Sequence, residues 1–190
     1  MVSRDKTETR LMNKAVHYLG RYSASQQRLR EVLGRFAKRK LAETPPEEIA
    51  HAMNNVITTC VQLGYVDDVQ FAALQARSQR RQGKSSLRIK QKLRVHALDN
   101  DAITTAIKTA DGEVSDGELA AAIQFARRRR LGPFFRGDVD DKTTHRHMGS
   151  LARAGYSMGI CRTIISADDT DQLEKLEQDA LAERTDGGLS

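Results

Sequence analysis

Eight basic side chains occupy a stretch of the sequence that contains no acidic residue. The stretch lies between Asp68 and Asp99, which are the nearest acidic residues on either side. Its basic residues are Arg77, Arg80, Arg81, Lys84, Arg88, Lys90, Lys92 and Arg94. Because guanidinium and ammonium groups form charge-assisted hydrogen bonds with phosphates and carboxylates, such a cluster could bind an anionic partner. For a single helix, however, a solvated charged face is the better interpretation.

The spacing of the histidines, glycines and cysteines does not fit a catalytic site or a metal site. His145 and His147 are the closest pair among five histidines, and residues two positions apart do not share a helix face. The phosphate-binding pattern G-x-x-x-x-G-K-[ST] is absent. Cys60 and Cys161 lack zinc-ligand spacing, so we expect buried free thiols in a reducing cytoplasm. We therefore expect no catalytic residue, no metal and no cofactor.

Charge is distributed unevenly along the chain, which carries a formal net charge of +6. Residues 168–190 hold eight acidic and two basic residues, so residues 1–167 carry a net charge of +12. No segment approaches the ~20 apolar residues that span a bilayer, and residues 1–10 lack the apolar region of a secretory signal. The composition favours a cytoplasmic protein whose partner is anionic and is not a membrane.

The elements that position the cations are predicted to be helices throughout, because no alternating β-branched run of strand length occurs. Thr44 is predicted to cap a helix in which Pro45 takes the first position. Asp67 and Asp68 are predicted to cap the next helix and to favour its dipole. Ser85 is predicted to cap the helix after that one.

The cations are predicted to form one exposed face of the helix that Asp67 and Asp68 begin. On a helical wheel, Arg77, Arg81 and Lys84 lie about 120° from the apolar stripe of this helix, with Arg80 beside them. Arg88, Lys90, Lys92 and Arg94 flank the apolar stripe of the following helix on both sides.

The same pattern of residue types occurs three times, which favours a functional surface over a solvated face. Moving back sixty positions places Arg81 on Arg21, Ser85 on Ser25, Arg88 on Arg28 and Leu93 on Leu33. Moving forward fifty-eight positions places Arg88 on Arg146, Leu93 on Leu151 and Asp99 on Ser157. We predict an all-α fold of three tandem three-helix modules in an elongated, curved array. The modules span 8–64, 65–111 and 114–167, and an acidic tail at 168–190 is expected to be partly helical or disordered.

Three segments resemble the three repeats of the RecX family, which regulates the RecA recombinase. They are Tyr18–Leu33, Gly64–Leu93 and Leu151–Ile165, and the middle one matches the family pattern G-x-x-D-D-x-x-[FY]-A…R…G-x-S-x-x-x-I-x-x-x-L most specifically. Arg28 stands where an acidic residue is usual in the family, and Ala97 stands where glycine is common. A Gly/Pro/Asp-rich loop at 132–141 interrupts the third repeat.

The resemblance implies a monomeric, curved modulator without catalytic residues. Such a protein lodges in the groove of the RecA–single-stranded-DNA filament and inhibits ATP hydrolysis, strand exchange and coprotease activity. It would thereby regulate DNA recombination, DNA repair and the SOS response, with direct contact to single- or double-stranded DNA as a further expectation. The residues expected to contact the filament or DNA are Arg21, Arg28, Arg77, Arg80, Arg81, Lys84, Arg88, Lys92, Arg127, Arg128 and Arg146.

The alternative is a stand-alone nucleic-acid-binding protein that acts through the repeated basic surface. Its support is the charge of residues 1–167, but no single helix carries the Asn, Gln and Arg cluster expected for base readout. The run from Arg127 to Arg130 fits either a nucleic-acid patch or a basic helix end. Tyr18, Tyr22 and Tyr65 are expected to pack between helices rather than stack on bases.

The acidic tail at 168–190 has two interpretations that the sequence leaves open. Its charge is opposite to that of the rest of the chain, so it could shield the cationic surface weakly until a partner displaces it. It could equally be a solubilising extension without contacts.

Overall fold

The computed structural model of the chain describes residues 2–112 and 114–182, with side chains from Lys6 onward. These residues form ten α-helices and a short 3-10 helix at Gly132–Phe134, and none of them forms a β-strand. The all-α prediction is therefore confirmed. The helices are α1 Val2–Leu19, α2 Gln26–Lys40, α3 Pro46–Gln62, α4 Asp68–Arg81, α5 Ser86–Arg94, α6 Asn100–Asp111, α7 Gly117–Arg129, α8 Asp141–Arg153, α9 Met158–Ile165 and α10 Thr170–Leu181.

The chain divides into two compact units. The first contains residues 1–72 and 95–98, and the second contains residues 73–94 and those from 99 onward. The division into three tandem modules stays a prediction. None of the described helices is long and apolar enough to cross a membrane.

The first unit is built around α1, α2 and α3, which pack against one another. Leu11, Leu33 and Cys60 are among its fully buried side chains, so Cys60 is a buried free thiol as predicted. Burial of these apolar groups supplies the main stabilisation of such a small core. Ser25 caps α2 by accepting a hydrogen bond from the backbone N–H of Arg28 at 3.1 Å.

One of the two predicted helix starts in the first unit differs from the observed one. Pro45, and not Thr44, occupies the N-cap position of α3, and no side chain caps this helix. The reason is Pro46, because a proline disfavours the helical conformation of the residue before it. Asp67 caps α4 as predicted, with the N–H groups of Val69 and Gln70 both at 2.9 Å.

Asp68 has a different role from the predicted one. Although α4 begins at this residue, its carboxylate accepts a hydrogen bond from the backbone N–H of Gln26 at 2.8 Å. Gln26 is the first residue of α2, so Asp68 satisfies one of the free N–H groups at the start of that helix. The side-chain amide of Gln26 also donates to Asp68, at 3.2 Å.

The second unit has α7 at its centre, in contact with α8, α9 and α10. Ile123, Leu151, Ile164 and Leu173 are fully buried in its core, as is the free thiol of Cys161. Several helices of the second unit are preceded by a serine or aspartate whose side chain caps them. The caps are Ser85 for α5, Asp99 for α6, Asp140 for α8 and Ser157 for α9.

The helical part of the acidic tail is a packed element of the second unit. In α10, Leu173 is fully buried and Ala180 nearly so. The N–H groups of Ser115 and Asp116 donate to the carbonyls of Ala182 and Ala180, both at 2.9 Å. The expectation of a contact-free extension is therefore wrong for Thr170–Leu181, and residues 183–190 lie outside the described part of the chain.

Candidate partner-binding surface

Two adjoining cavities of the second unit are lined by cations. One has a volume of about 500 Å³ and the other of about 410 Å³, and they share Arg129, Ser150 and Arg153. None of the described residues that line them is acidic. We call this surface the basic cleft and define it by its cations, which are Lys84, Arg88, Arg129, Arg130, Arg146 and Arg153.

Four elements place the cations of the basic cleft. Lys84 lies in the turn between α4 and α5, and Arg88 lies on the first turn of α5. Arg129 ends α7, while Arg146 and Arg153 project from α8. Arg130, the sixth cation, follows α7 in the left-handed conformation that ends this helix. The cleft therefore exists only when α5, α7 and α8 are assembled.

Ser85 ties the start of α5 to the end of α8. Its Oγ accepts a hydrogen bond from the N–H of Arg88 at 3.3 Å and donates one to the carbonyl of Ala154 at 2.6 Å. Arg88 adds a second link, because its Nη2 donates to the carbonyl of Arg153 at 2.6 Å. These bonds hold one wall of the basic cleft against the other.

Tyr156 ties the turn between α4 and α5 to α7. Its buried hydroxyl lies 2.8 Å from the carbonyl of Gly83 and 3.2 Å from that of Ala121, which share its proton. Burial raises the pKa of Tyr156 far above its ordinary value of 10, so the hydroxyl remains a donor.

Gly83 makes this close approach possible. It has a φ of +59°, and a Cβ there would lie 2.9 Å from the carbonyl oxygen of Ala121. Because any other residue would clash with this backbone and be strained in the left-handed region, glycine is required at the turn that carries Lys84.

Arg80 is buried and does not lie on the predicted exposed face. Its Nε and Nη2 donate to Asp111 at 2.6 and 2.9 Å, and its Nη1 donates to Glu118 at 2.6 Å. Further donations to the carbonyl of Lys84 and the hydroxyl of Ser86 occupy all five of its N–H groups. The expectation that Arg80 contacts a partner is corrected: its guanidinium binds acidic groups of α6 and α7 instead.

Burial by itself lowers the pKa of Arg80. The hydrogen bond to Asp111 and the charge of Glu118 more than offset that effect and raise the pKa above its ordinary value. Arg80 is therefore a permanent cation, and we call Arg80, Asp111 and Glu118 with Ser86 the Arg80 cluster.

The remaining predicted cations are dispersed. In the second unit, Arg77 and Arg81 line a separate cavity of about 300 Å³ together with Gln124 and Leu181. Lys92 is exposed on α5. In the first unit, Arg21 is exposed after α1, and Nη1 of Arg28 lies 2.8 Å from the carboxylate of Glu31. From the predicted set, the basic cleft brings together Lys84, Arg88 and Arg146.

The run from Arg127 to Arg130 is divided between two environments. Nη2 of Arg127 lies 2.7 Å from the carboxylate of Glu177 on α10, and its guanidinium lies over the ring of Phe134. Arg128 is exposed, whereas Arg129 and Arg130 line the basic cleft. The sequence-based set contained Arg127 and Arg128 from this run, but not the two residues that line the cleft.

Arg153 was also missed by the sequence-based set. Fifty-eight positions before it in the second repeat stands Val95, so the repeat pattern carried no signal for this residue. The available signal for Arg129 and Arg130 was their place in the basic run.

His147 holds the loop that interrupts the third repeat. Its Nδ1 accepts a hydrogen bond from the N–H of Gly132 at 3.2 Å, and its ring meets that of Phe135 edge-on. Burial, and then the charge of Arg146, lowers the pKa of His147.

The described residues hold no group of three or more His, Cys, Asp or Glu side chains that could bind a metal ion.

The tyrosines differ from their predicted packing role. Tyr22 and Tyr65 are 58% and 54% exposed, so the expectation that they pack between helices is wrong for these two. Tyr18 is half-buried against the core of the first unit, with its ring centroid 5.2 Å from that of Tyr22.

Comparison with known proteins gives one consistent result. A family model described as "RecX, second three-helix domain" matches residues 67–107. The regulatory protein RecX of Myxococcus xanthus (strain DK1622) is 34% identical over 168 residues, covering 87% of this chain and 89% of that protein. The regulatory protein RecX of Agrobacterium fabrum is 27% identical over 168 residues, covering 88% of each.

A solved structure shares the fold at lower sequence identity. The crystal structure of RecX from Lactobacillus salivarius is 17% identical, with a TM-score of 0.66. The match covers 90% of this chain and 99% of that one.

Proposed function

Because this chain belongs to the RecX family of regulatory proteins, we propose that it regulates the RecA recombinase by binding the RecA–single-stranded-DNA filament. The proposed effect is inhibition of ATP hydrolysis, strand exchange and coprotease activity without catalysis by the regulator itself. The observation that carries this proposal is the convergence of six cations in the basic cleft with no acidic residue in its lining.

The chemistry of the basic cleft suits a filament that presents phosphates and carboxylates. Arginine binds both groups through two parallel N–H donors, and five of the six cations are arginines. None of the ion pairs that the described residues make involves a cation of the cleft. No carboxylate among these residues therefore forms a salt bridge with a cation of the cleft, and the charge of the cleft can attract an anionic partner.

Inhibition follows if the regulator binds one state of the filament more tightly than the others. A ligand shifts an equilibrium only by its differential affinity for the states involved. A protein held across the filament by several charge-assisted contacts would stabilise one arrangement of the recombinase. Changes that break those contacts, including those coupled to ATP hydrolysis, would then be slower.

The test is a titration of RecA ATPase activity on single-stranded DNA. The test variant is Arg129→Glu with Arg153→Glu, because both residues line both cavities of the basic cleft. The comparison variant is Arg77→Glu with Arg81→Glu, which makes the same change of charge at two of the sequence-predicted contacts that lie outside the basic cleft. Helical circular dichroism must be unchanged for both proteins.

We expect the cleft variant to need more than tenfold higher concentration for half-inhibition, and the comparison variant to remain close to wild type. Full inhibition by the folded cleft variant would contradict the cleft as the contact surface. A wild-type protein without any effect on RecA would contradict the function itself.

Binding to nucleic acid without RecA is the second candidate, because the cleft chemistry serves phosphates alone equally well. Fluorescence anisotropy with a labelled single-stranded oligonucleotide, free or coated with RecA, separates the two. The proposed function predicts tighter binding to the coated DNA. Equal affinity for both would favour the stand-alone interpretation.

A further inference from the structure

The first unit contains an apolar groove that the described residues leave open. It lies between α2 and α3 and has a volume of about 540 Å³. Leu41, Pro46, Ile49 and Met53 are among its lining residues, together with Ala37, Ala42 and Ala50. We call this surface the α2–α3 groove. Its apolar lining distinguishes it from the basic cleft of the second unit.

Gly34 forms part of the groove, and no described residue packs against the position of its missing side chain. It lies in the middle of α2, where glycine is less favourable than alanine. A Cβ at this position would meet no atom within 4 Å, so no internal contact requires its absence. A glycine of this kind suits a surface that the backbone of a second molecule approaches closely.

The edges of the α2–α3 groove carry positive charge. Arg30 and Lys38 line it, and no acidic residue does. Nη1 of Arg30 lies 2.6 Å from Oδ1 of Asn54 and thereby links α2 to α3 at one end. Charge complementarity therefore selects an acidic partner.

We propose that the α2–α3 groove binds an amphipathic helix of a protein partner, with small apolar residues on one face and acidic residues beside it. The inference rests on the proposed function, because that partner is taken to be the recombinase filament. The groove follows α2 from Arg30 to Leu41, which corresponds to about 16 Å or three turns of a partner helix. Helix-in-groove recognition uses this arrangement of apolar anchors with a charged rim.

The first test blocks the groove without disturbing the fold. Gly34→Leu places a side chain in open space, and Gly34→Ala serves as the control for helix propensity. Both variants should unfold at a temperature a few degrees above that of wild type. Binding to RecA filaments on single-stranded DNA is measured by co-sedimentation at several protein concentrations.

We expect Gly34→Leu to bind the filament at least tenfold more weakly, and Gly34→Ala to lose much less. Equal binding by Gly34→Leu and wild type overturns the groove while leaving the proposed function intact. A wild-type protein that does not sediment with the filament overturns both.

The second test concerns the charge at the edge of the groove. Lys38→Glu should weaken filament binding several-fold, more at low salt than at high salt. Arg39→Glu is the matched control, because Arg39 lies on the same turn but does not line the groove. Equal losses for both variants would overturn the specific contact. If Gly34→Leu leaves filament binding unchanged but abolishes self-association in sedimentation velocity, the proposal is overturned in favour of a second copy as the occupant.

Discussion

Arg80 and Arg88 lie eight positions apart in the same basic stretch, yet they belong to regions with opposite roles. The guanidinium of Arg80 is buried and is held by Asp111 and Glu118. Arg88 belongs to the basic cleft, whose lining contains no acidic residue. The Arg80 cluster neutralises its charge inside the second unit, and the cleft leaves its charge exposed. A count of cations therefore does not identify a binding surface, because the acids that neutralise them come from other elements.

The largest effect is expected from breaking the Arg80 cluster. Arg80→Met should reduce the free energy of unfolding by about 3 kcal/mol or more, because it leaves Asp111 and Glu118 without their partner. Urea unfolding followed by circular dichroism measures the change. Arg88→Met is the control, and it should cost much less because Arg88 is exposed. A loss of less than about 1 kcal/mol for Arg80→Met would contradict a structural role.

The salt dependence of filament affinity tests the electrostatic role of the basic cleft. Affinity for the filament should fall about ten- to a hundredfold between 50 and 200 mM salt, because cations that bind phosphates release counterions. Arg129→Glu with Arg153→Glu should flatten this dependence, whereas Arg80→Met should leave the slope unchanged in the protein that remains folded. Filament anisotropy at four salt concentrations gives the slopes. Identical slopes for wild type and the cleft variant would count against electrostatic binding there.

A smaller effect is expected from removing the hydroxyl of Tyr156, which positions the turn between α4 and α5. Tyr156→Phe removes the donor to the carbonyls of Gly83 and Ala121 and should cost about 1–2 kcal/mol of unfolding free energy. The turn that carries Lys84 would be held less firmly, so filament affinity should fall only a few-fold. Urea unfolding and anisotropy report the two effects separately. Phe125→Leu alters a neighbouring ring without removing a hydrogen bond. It serves as the comparison for the unfolding free energy alone, because Phe125 also lines the basic cleft.

The smallest expected effect is the change in the stability of the protein with pH that His147 causes. Because the pKa of His147 is lowered in the folded protein from its ordinary value of 6.5, the unfolded chain binds a proton more readily. The stability contributed by neutral His147 is complete above about pH 6.5 and is lost as the pH falls through the lower folded value. His147→Asn keeps an acceptor for the N–H of Gly132 and does not titrate. The difference in unfolding free energy between wild type and this variant should shrink towards low pH. A constant difference from pH 7 to 5 would refute a pH-dependent contribution of His147.

The positions of several helix starts could be predicted from local sequence. Ser25 and Ser85, which occupy equivalent positions of the repeat, each accept a hydrogen bond from the N–H three residues later. This succeeds because a cap acts within one helical turn. The prediction failed by one position at Thr44, because Pro46 places the N-cap of α3 at Pro45.

The basic cleft was less accessible to sequence reasoning. The helical wheel distinguished cations from the apolar stripe, but it could not tell Arg80 from Arg81. The acids that bind Arg80 are 31 and 38 positions away on α6 and α7. Likewise, Arg153 meets Arg88 only through the packing of α8 on the start of α5.

By itself, the sequence determined the all-helical fold, several of the helix caps and an excess of cations outside the tail. Those features follow from interactions within a few residues, namely 3.6-residue periodicity, side-chain capping and local charge. Only the tertiary structure decided that Arg80 is neutralised, that Arg129 and Arg153 converge with Arg88, and that α10 packs on α7. These depend on which helices lie together, because burial and charge pairing are set by groups distant in the chain.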